Sequence, residues 1–144
     1  MARWPLPEPG VLRIQRLDGA DVAAAARWDA FVAACPSATF FHRAGWERIL
    51  REVFRHDTHF LLASMGDEIR GVLPLAHVHS RLFGRSLSSL PFAAYGGVAA
   101  LDEAAEAALV THAEQLARSL GVEHLELRNT ARRHPEWPAQ ALYV

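Results

Sequence analysis

The chain contains no lysine: all fifteen of its basic residues are arginine. No Schiff-base lysine, lysine general base or phosphate-loop lysine can therefore operate in it. Cysteine is almost as scarce. The single Cys35 excludes an internal disulfide framework and sits at an apolar helix position, where it reads as a small core residue without chemistry of its own. No apolar run approaches the ~18 residues needed to span a bilayer, and the N-terminus lacks the apolar core of a signal peptide. A cytoplasmic location is the expectation. Charge of one sign is absent too, since fifteen basic and sixteen acidic residues leave a formal net charge of −1. That is not the basic field a nucleic-acid binder needs, so direct nucleic-acid binding is not expected. Gly-x-Ser-x-Gly does not occur, which leaves serine nucleophilic catalysis unsupported.

What is present suits one domain of 144 residues, long enough to bury a core without disulfides or metal. Val11–Leu17 alternates as a first strand, and Asp18–Asp21 supply turn and capping groups for a helix. Trp28, Phe31, Val32 and Cys35 fall on one face of that helix, which Pro36-Ser37 ends. In the next helix Trp46, Ile49, Leu50, Val53 and Phe54 form one apolar stripe, with Glu47, Arg48, Arg51 and Glu52 on the remaining faces. The stripe is expected to pack. His59–Ala63, a Gly66-Asp67 turn and Ile69–Ser80 read as a β-hairpin, whose Pro74 cannot donate to a ladder. Ser86–Val98 is a further extended segment. Asp102 then caps a long helix carrying Ala105, Leu109, His112, Ala113, Leu116, Ala117 and Leu120 inward, with Gly121 as its stop. Val122–Arg128 is a last strand, followed by an irregular tail from Thr130 to Pro138 and the short run Leu142-Tyr143-Val144. The order β, α, α, β, β, β, α, β predicts a mixed α/β sheet with helices on its faces.

Eight histidines raise the question of a metal. His77 and His79 share a strand face, but two imidazoles lack the third and fourth donors zinc requires, so no metal site is expected. His42, His56, His59 and His134 read as loop or capping residues, and His112 and His124 as interior ones. The most informative motif is Ser89-Leu90-Pro91-Phe92-Ala93-Ala94-Tyr95-Gly96-Gly97-Val98, an apolar run ending in an aromatic residue and two glycines ahead of a helix. Glycines permit close approach of another molecule, and amides near a helix N-terminus can face an anion or a carbonyl.

Four phrases together resemble the FemAB-like proteins: Thr39-Phe40-Phe41-His42-Arg43-Ala44-Gly45-Trp46; Gly71-Val72-Leu73-Pro74-Leu75; Ser88 to Val98; and Leu120 to Asn129. They look most like the branch associated with exosortase and PEP-CTERM exopolysaccharide systems. The resemblance implies a GNAT-like acyl-CoA N-acyltransferase fold over residues 1–129, with residues 130–144 leading into a second such domain C-terminal to this chain. It implies that the full-length protein is an acyl- or aminoacyltransferase acting on an envelope-precursor or saccharide amine, with aminoacyl-tRNA or acyl-CoA as donor. This half alone is expected to be inactive and to hold no cofactor. Tyr95, Gly96 and Gly97 occupy the place of the family's aromatic-and-glycine motif beside the acceptor cleft. The helix of Trp46 matches one whose lysine faces a precursor diphosphate; here the nearby cations are Arg48 and Arg51. The Gln/Arg-x-x-Gly-x-Gly/Ala pyrophosphate loop of GNAT acetyltransferases is replaced by Tyr95-Gly96-Gly97-Val98-Ala99-Ala100. Two other readings fit the same sequence: a non-catalytic binding or scaffolding domain, and a stand-alone acetyltransferase with an atypical loop.

Overall fold

Strand Leu12–Arg16 (β1) leads to a loop in which Asp21 accepts a hydrogen bond from the Ala24 amide and so starts helix Val22–Ala34 (α1). A short 3₁₀ turn, Phe40–His42, precedes helix Gly45–Glu52 (α2). Strands Asp57–Met65 (β2), Glu68–Ser80 (β3) and Gly84–Ser89 (β4) follow as an antiparallel meander. A two-residue strand, Ala99–Ala100 (β5), then leads into helix Glu103–Leu120 (α3), and strand His124–Glu126 (β6) closes the order. The computed structural model describes residues 11–80, 84–89 and 96–127. Tyr95, His134 and the tail from Thr130, with its Leu142-Tyr143-Val144 run, lie outside that set.

The sheet runs β1-β2-β3-β4-β6, antiparallel except for the parallel pair β4–β6. Helix α3 makes that parallel return possible by carrying the chain back across one face. One face carries Leu61, Ala63, Leu73, Leu75 and Leu87 against Leu109, Ala113 and Ala117 of α3. The other carries Phe60, Leu62, Val72 and Ala76 against Trp28 and Phe31 of α1 and Leu50 of α2. The two sets alternate along each strand, as the period of two demands. Asp102 accepts from the Ala105 amide at 2.8 Å and Gly121 takes a left-handed φ of 67°, so both ends of α3 form as its sequence predicts. Cys35 is buried, in keeping with a core role, whereas His124 is exposed rather than interior.

Helix α2 departs from its pattern. Leu50 is 1% exposed, yet Val53 is 68% exposed and Ile49 and Phe54 remain at the surface. The cause is Glu47, expected on a solvated face but only 4% exposed. Its Oε1 accepts from Thr58 Oγ1 at 2.8 Å and from Arg51 Nε at 3.0 Å. A buried carboxylate must keep its donors. At roughly 100° per residue, burying Glu47 with Leu50 turns the inward face by about 60° from the centre of the apolar stripe.

Candidate functional site

Strand β2 occupies one edge of β3 along Glu68–His77, so β4 and β5 share the other edge. There Ser89 pairs with Leu75, and the next described pairing is Ala99 with Val72. Leu73 and Pro74 lie between these two described pairings, and Pro74 has no amide hydrogen to offer on that edge. The β2 ladder continues past it through Phe60–Pro74. The Ser89–Leu75 pairing lies at the carboxyl ends of the parallel pair, whose last described rung is Ser88–Glu126. Carboxyl ends of parallel strands are where open α/β sheets form their ligand crevices.

The returning arm is fixed by His42. Its Nε2 lies 2.7 Å from the carbonyl oxygen of Gly97, and the Thr39 amide donates to its Nδ1 at 2.9 Å. An Nδ1 that accepts leaves the proton on Nε2, so His42 donates to Gly97 as a neutral imidazole. Burial lowers its pKa below the ordinary value, against the opposing pull of its bonds to Gly97 and Thr39. Its own carbonyl accepts from Trp28 Nε1 at 2.6 Å, and Asp29 of α1 accepts from the Ala44 amide at 2.8 Å. Helix α1 therefore holds the Thr39–Ala44 segment, which in turn holds Gly97. With both ring nitrogens committed, His42 is a clamp and not a proton acceptor for a substrate.

Of the residues singled out in the sequence, Gly96 and Gly97 are buried beside this clamp. They are followed by β5 and then the Asp102 cap, rather than running directly into α3. Trp46 belongs to an aromatic cluster, with ring centroids 6.0 Å from both Phe40 and Phe41. Arg48 is bound to Glu52 at 2.9 Å with its side chain 74% exposed, and the structure does not bring it to the glycines. Two residues escaped the sequence reading. His42 was legible as a capping residue, and it is one, through the Thr39 capping box; its second bond to Gly97 spans 55 positions and has no local signature. Ser88 is 2% exposed, and its Oγ has no hydrogen-bond partner among the described residues. By register it faces the α1/α2 side with Ala76, one rung before the last described pairing of β4 with β3.

The N-terminus of α3 does not suit a pyrophosphate. Asp102, Glu103 and Glu106 crowd its first turn, and Arg70 beside it is paired with Asp102 at 2.6 Å and Glu68 at 2.9 Å. Acidic groups at that end stabilise the helix and repel a phosphate anion. The residues present therefore do not fit a coenzyme A cradle of the usual kind. His77 and His79 do share a face, with ring centroids 4.3 Å apart, but among the described residues no three His, Cys, Asp or Glu side chains are placed to hold a metal.

The architecture is that of the GNAT acyltransferases. A GNAT family acetyltransferase of Staphylococcus aureus superposes with a TM-score of 0.60 over 92% of this chain and 96% of its own, at 11% sequence identity. A transcriptional regulator of Bacillus halodurans superposes with a TM-score of 0.54 over 88% of this chain and 86% of its own, at 15% identity. Both likenesses are of fold. No family model and no curated protein matches the sequence. Among the described residues no helix is long and apolar enough to cross a membrane.

Proposed function

We propose that the chain is an N-acyltransferase domain whose acceptor side is formed beyond the carboxyl end of β4, with Gly96, Gly97 and Tyr95 as acceptor contacts. The observation that carries this is the carboxyl end of the sheet's one described parallel pair, in a GNAT-like fold whose buried Gly97 is held by His42. The reaction is attack of an amine on an activated acyl carbonyl, favoured by positioning and by donors aimed at the developing oxyanion. His42 keeps the returning arm in place. Ser88 Oγ, buried without a partner, is available to bind the amine or the carbonyl oxygen. The motif resemblance supports a FemAB-like first domain acting on an envelope or exopolysaccharide amine, its donor held by a second domain. The acidic first turn of α3 supports a donor other than coenzyme A held at that turn.

Calorimetry with acetyl-coenzyme A tests the assignment. The expected result is no binding by this chain, with acyl transfer to an amine acceptor observed once the proposed second domain is supplied and lost in Tyr95→Ala and Ser88→Ala. Tight binding of acetyl-coenzyme A would favour a self-sufficient acetyltransferase, a reading supported by the near-complete span of the staphylococcal enzyme. Unchanged transfer in both variants would refute the site.

A further inference from the structure

A second feature is the side of α2 that the turned helix leaves uncovered. Because Glu47 takes an inward position beside Leu50, held by Thr58 and Arg51, the apolar stripe of α2 faces out. At roughly 100° per residue, Trp46, Ile49 and Val53 fall within about 60° of one another. Val53 is 68% and Ile49 38% exposed, and Phe54, 39% exposed, follows at the helix end. The 3₁₀ turn extends the stripe at its other end, since Phe40 is 64% exposed and its ring centroid lies 6.0 Å from that of Trp46. Four of the seven large hydrophobic side chains exposed among the described residues thus lie between Phe40 and Phe54, which makes a patch and not scattered exposure.

The charges around the stripe decide its partner. Residues 40–55 carry four arginines against two glutamates, one of which, Glu47, is buried. Arg48 and Glu52 pair with each other, and Arg51 pairs with Glu47. Arg43 and Arg55, exposed at the two ends of the stripe, make no ion pair among the described residues. Stacking stripe on stripe with a second copy would set these cations against themselves, and four apolar side chains fall far short of the roughly 20–30 residues a side of a stable protein interface. An anionic lipid surface has the opposite charge and accepts a short apolar ridge at the boundary of its acyl chains, with arginines at the level of the headgroups. We propose that the 3₁₀ turn and α2 dock on an anionic lipid bilayer, with Phe40, Ile49, Val53 and Phe54 entering the headgroup–acyl boundary and Arg43 and Arg55 on lipid phosphates. This is contact with a membrane surface and not a span, and it does not depend on acyl transfer.

The test is flotation of the purified protein with phosphatidylcholine vesicles containing about 30% phosphatidylglycerol at about 0.05 M salt, against vesicles of phosphatidylcholine alone. Binding to the anionic vesicles at least about tenfold above that to the neutral ones is expected, with a severalfold fall at about 0.5 M salt. Phe40→Ser with Val53→Ser, both changes at exposed side chains, should weaken binding roughly tenfold or more. Val53→Ser alone, with a severalfold loss, decides the matter if that double variant does not fold. Arg43→Gln with Arg55→Gln should weaken binding to anionic vesicles about tenfold and leave the urea midpoint unchanged. No binding to anionic vesicles, equal binding to neutral ones, or undiminished binding in either double variant would overturn the proposal. A concentration-dependent dimer in sedimentation velocity that Val53→Ser dissolves, without vesicle binding, would give the stripe to a second copy and overturn it as well.

Discussion

Replacing His42 by phenylalanine preserves most of the ring volume and removes both of its polar contacts. The side chain is 1% exposed, so neither contact can be replaced by bulk water. Loss of the Nε2 donor leaves the Gly97 carbonyl without its partner in a buried setting, a cost of roughly 1–3 kcal/mol. Loss of the Nδ1 acceptor opens the capping box at Thr39, for a further cost of about 0.5–2 kcal/mol. Together these amount to about 1.5–5 kcal/mol in a domain whose whole stability is of the order of 5–15 kcal/mol. In urea, with a slope of about 1.5–2 kcal/mol/M, the unfolding midpoint should fall by about 1–3 M. Hydrogen exchange supplies a local readout. Amides of Gly97, Val98 and Ala99 should lose protection in His42→Phe before those of α3 do, because α3 packs on the opposite face of the sheet. A midpoint shift under about 0.3 M, or uniform loss of protection, would show that His42 does not hold the returning arm.

Two further outcomes follow from the packing and the charges. Leu50→Ala should cost about 2–5 kcal/mol, whereas Val53→Ser, on the same sequence stripe, should stay within about 0.5 kcal/mol; similar costs measured by denaturation would contradict the turned α2. Burial lowers the pKa values of His42, His56, His59 and His77, reinforced by His79 for His56 and His77 and by Arg16 for His59. The folded state therefore binds fewer protons than the unfolded one below the ordinary imidazole value of about 6.5. Stability should be at its full value above that pH and decline as pH drops toward the depressed folded values, and urea midpoints that stay level from pH 7.5 to pH 5 would refute this.

Helix α3 was legible because its signals are local and agree with one another. Asp102, the spaced alanines and leucines and Gly121 each act within a few residues, and nothing from elsewhere opposes them. The mixed sheet was legible for a similar reason, since alternation and turn residues marked the strands before any partner was known. Helix α2 was misread because amphipathicity counts apolar residues and cannot see that Thr58, eleven positions on, accommodates the Glu47 carboxylate. Arg48 stands out in the sequence by its charge, and charge on a helix says nothing of direction; in the fold it is paired with Glu52 one turn away.

The sequence by itself determined the order of the longer elements, both caps of α3, and the lack of lysine and disulfide chemistry. These depend on residue type and short-range spacing. Only the tertiary structure decided that β4 and β5 share one edge of β3, that His42 reaches across 55 positions to hold Gly97, and that Ser88 Oγ is buried without a partner among the described residues. The physical reason is burial. It is set by what packs on the far side of a residue, and it turns an ordinary polar side chain into either a clamp or a binding group.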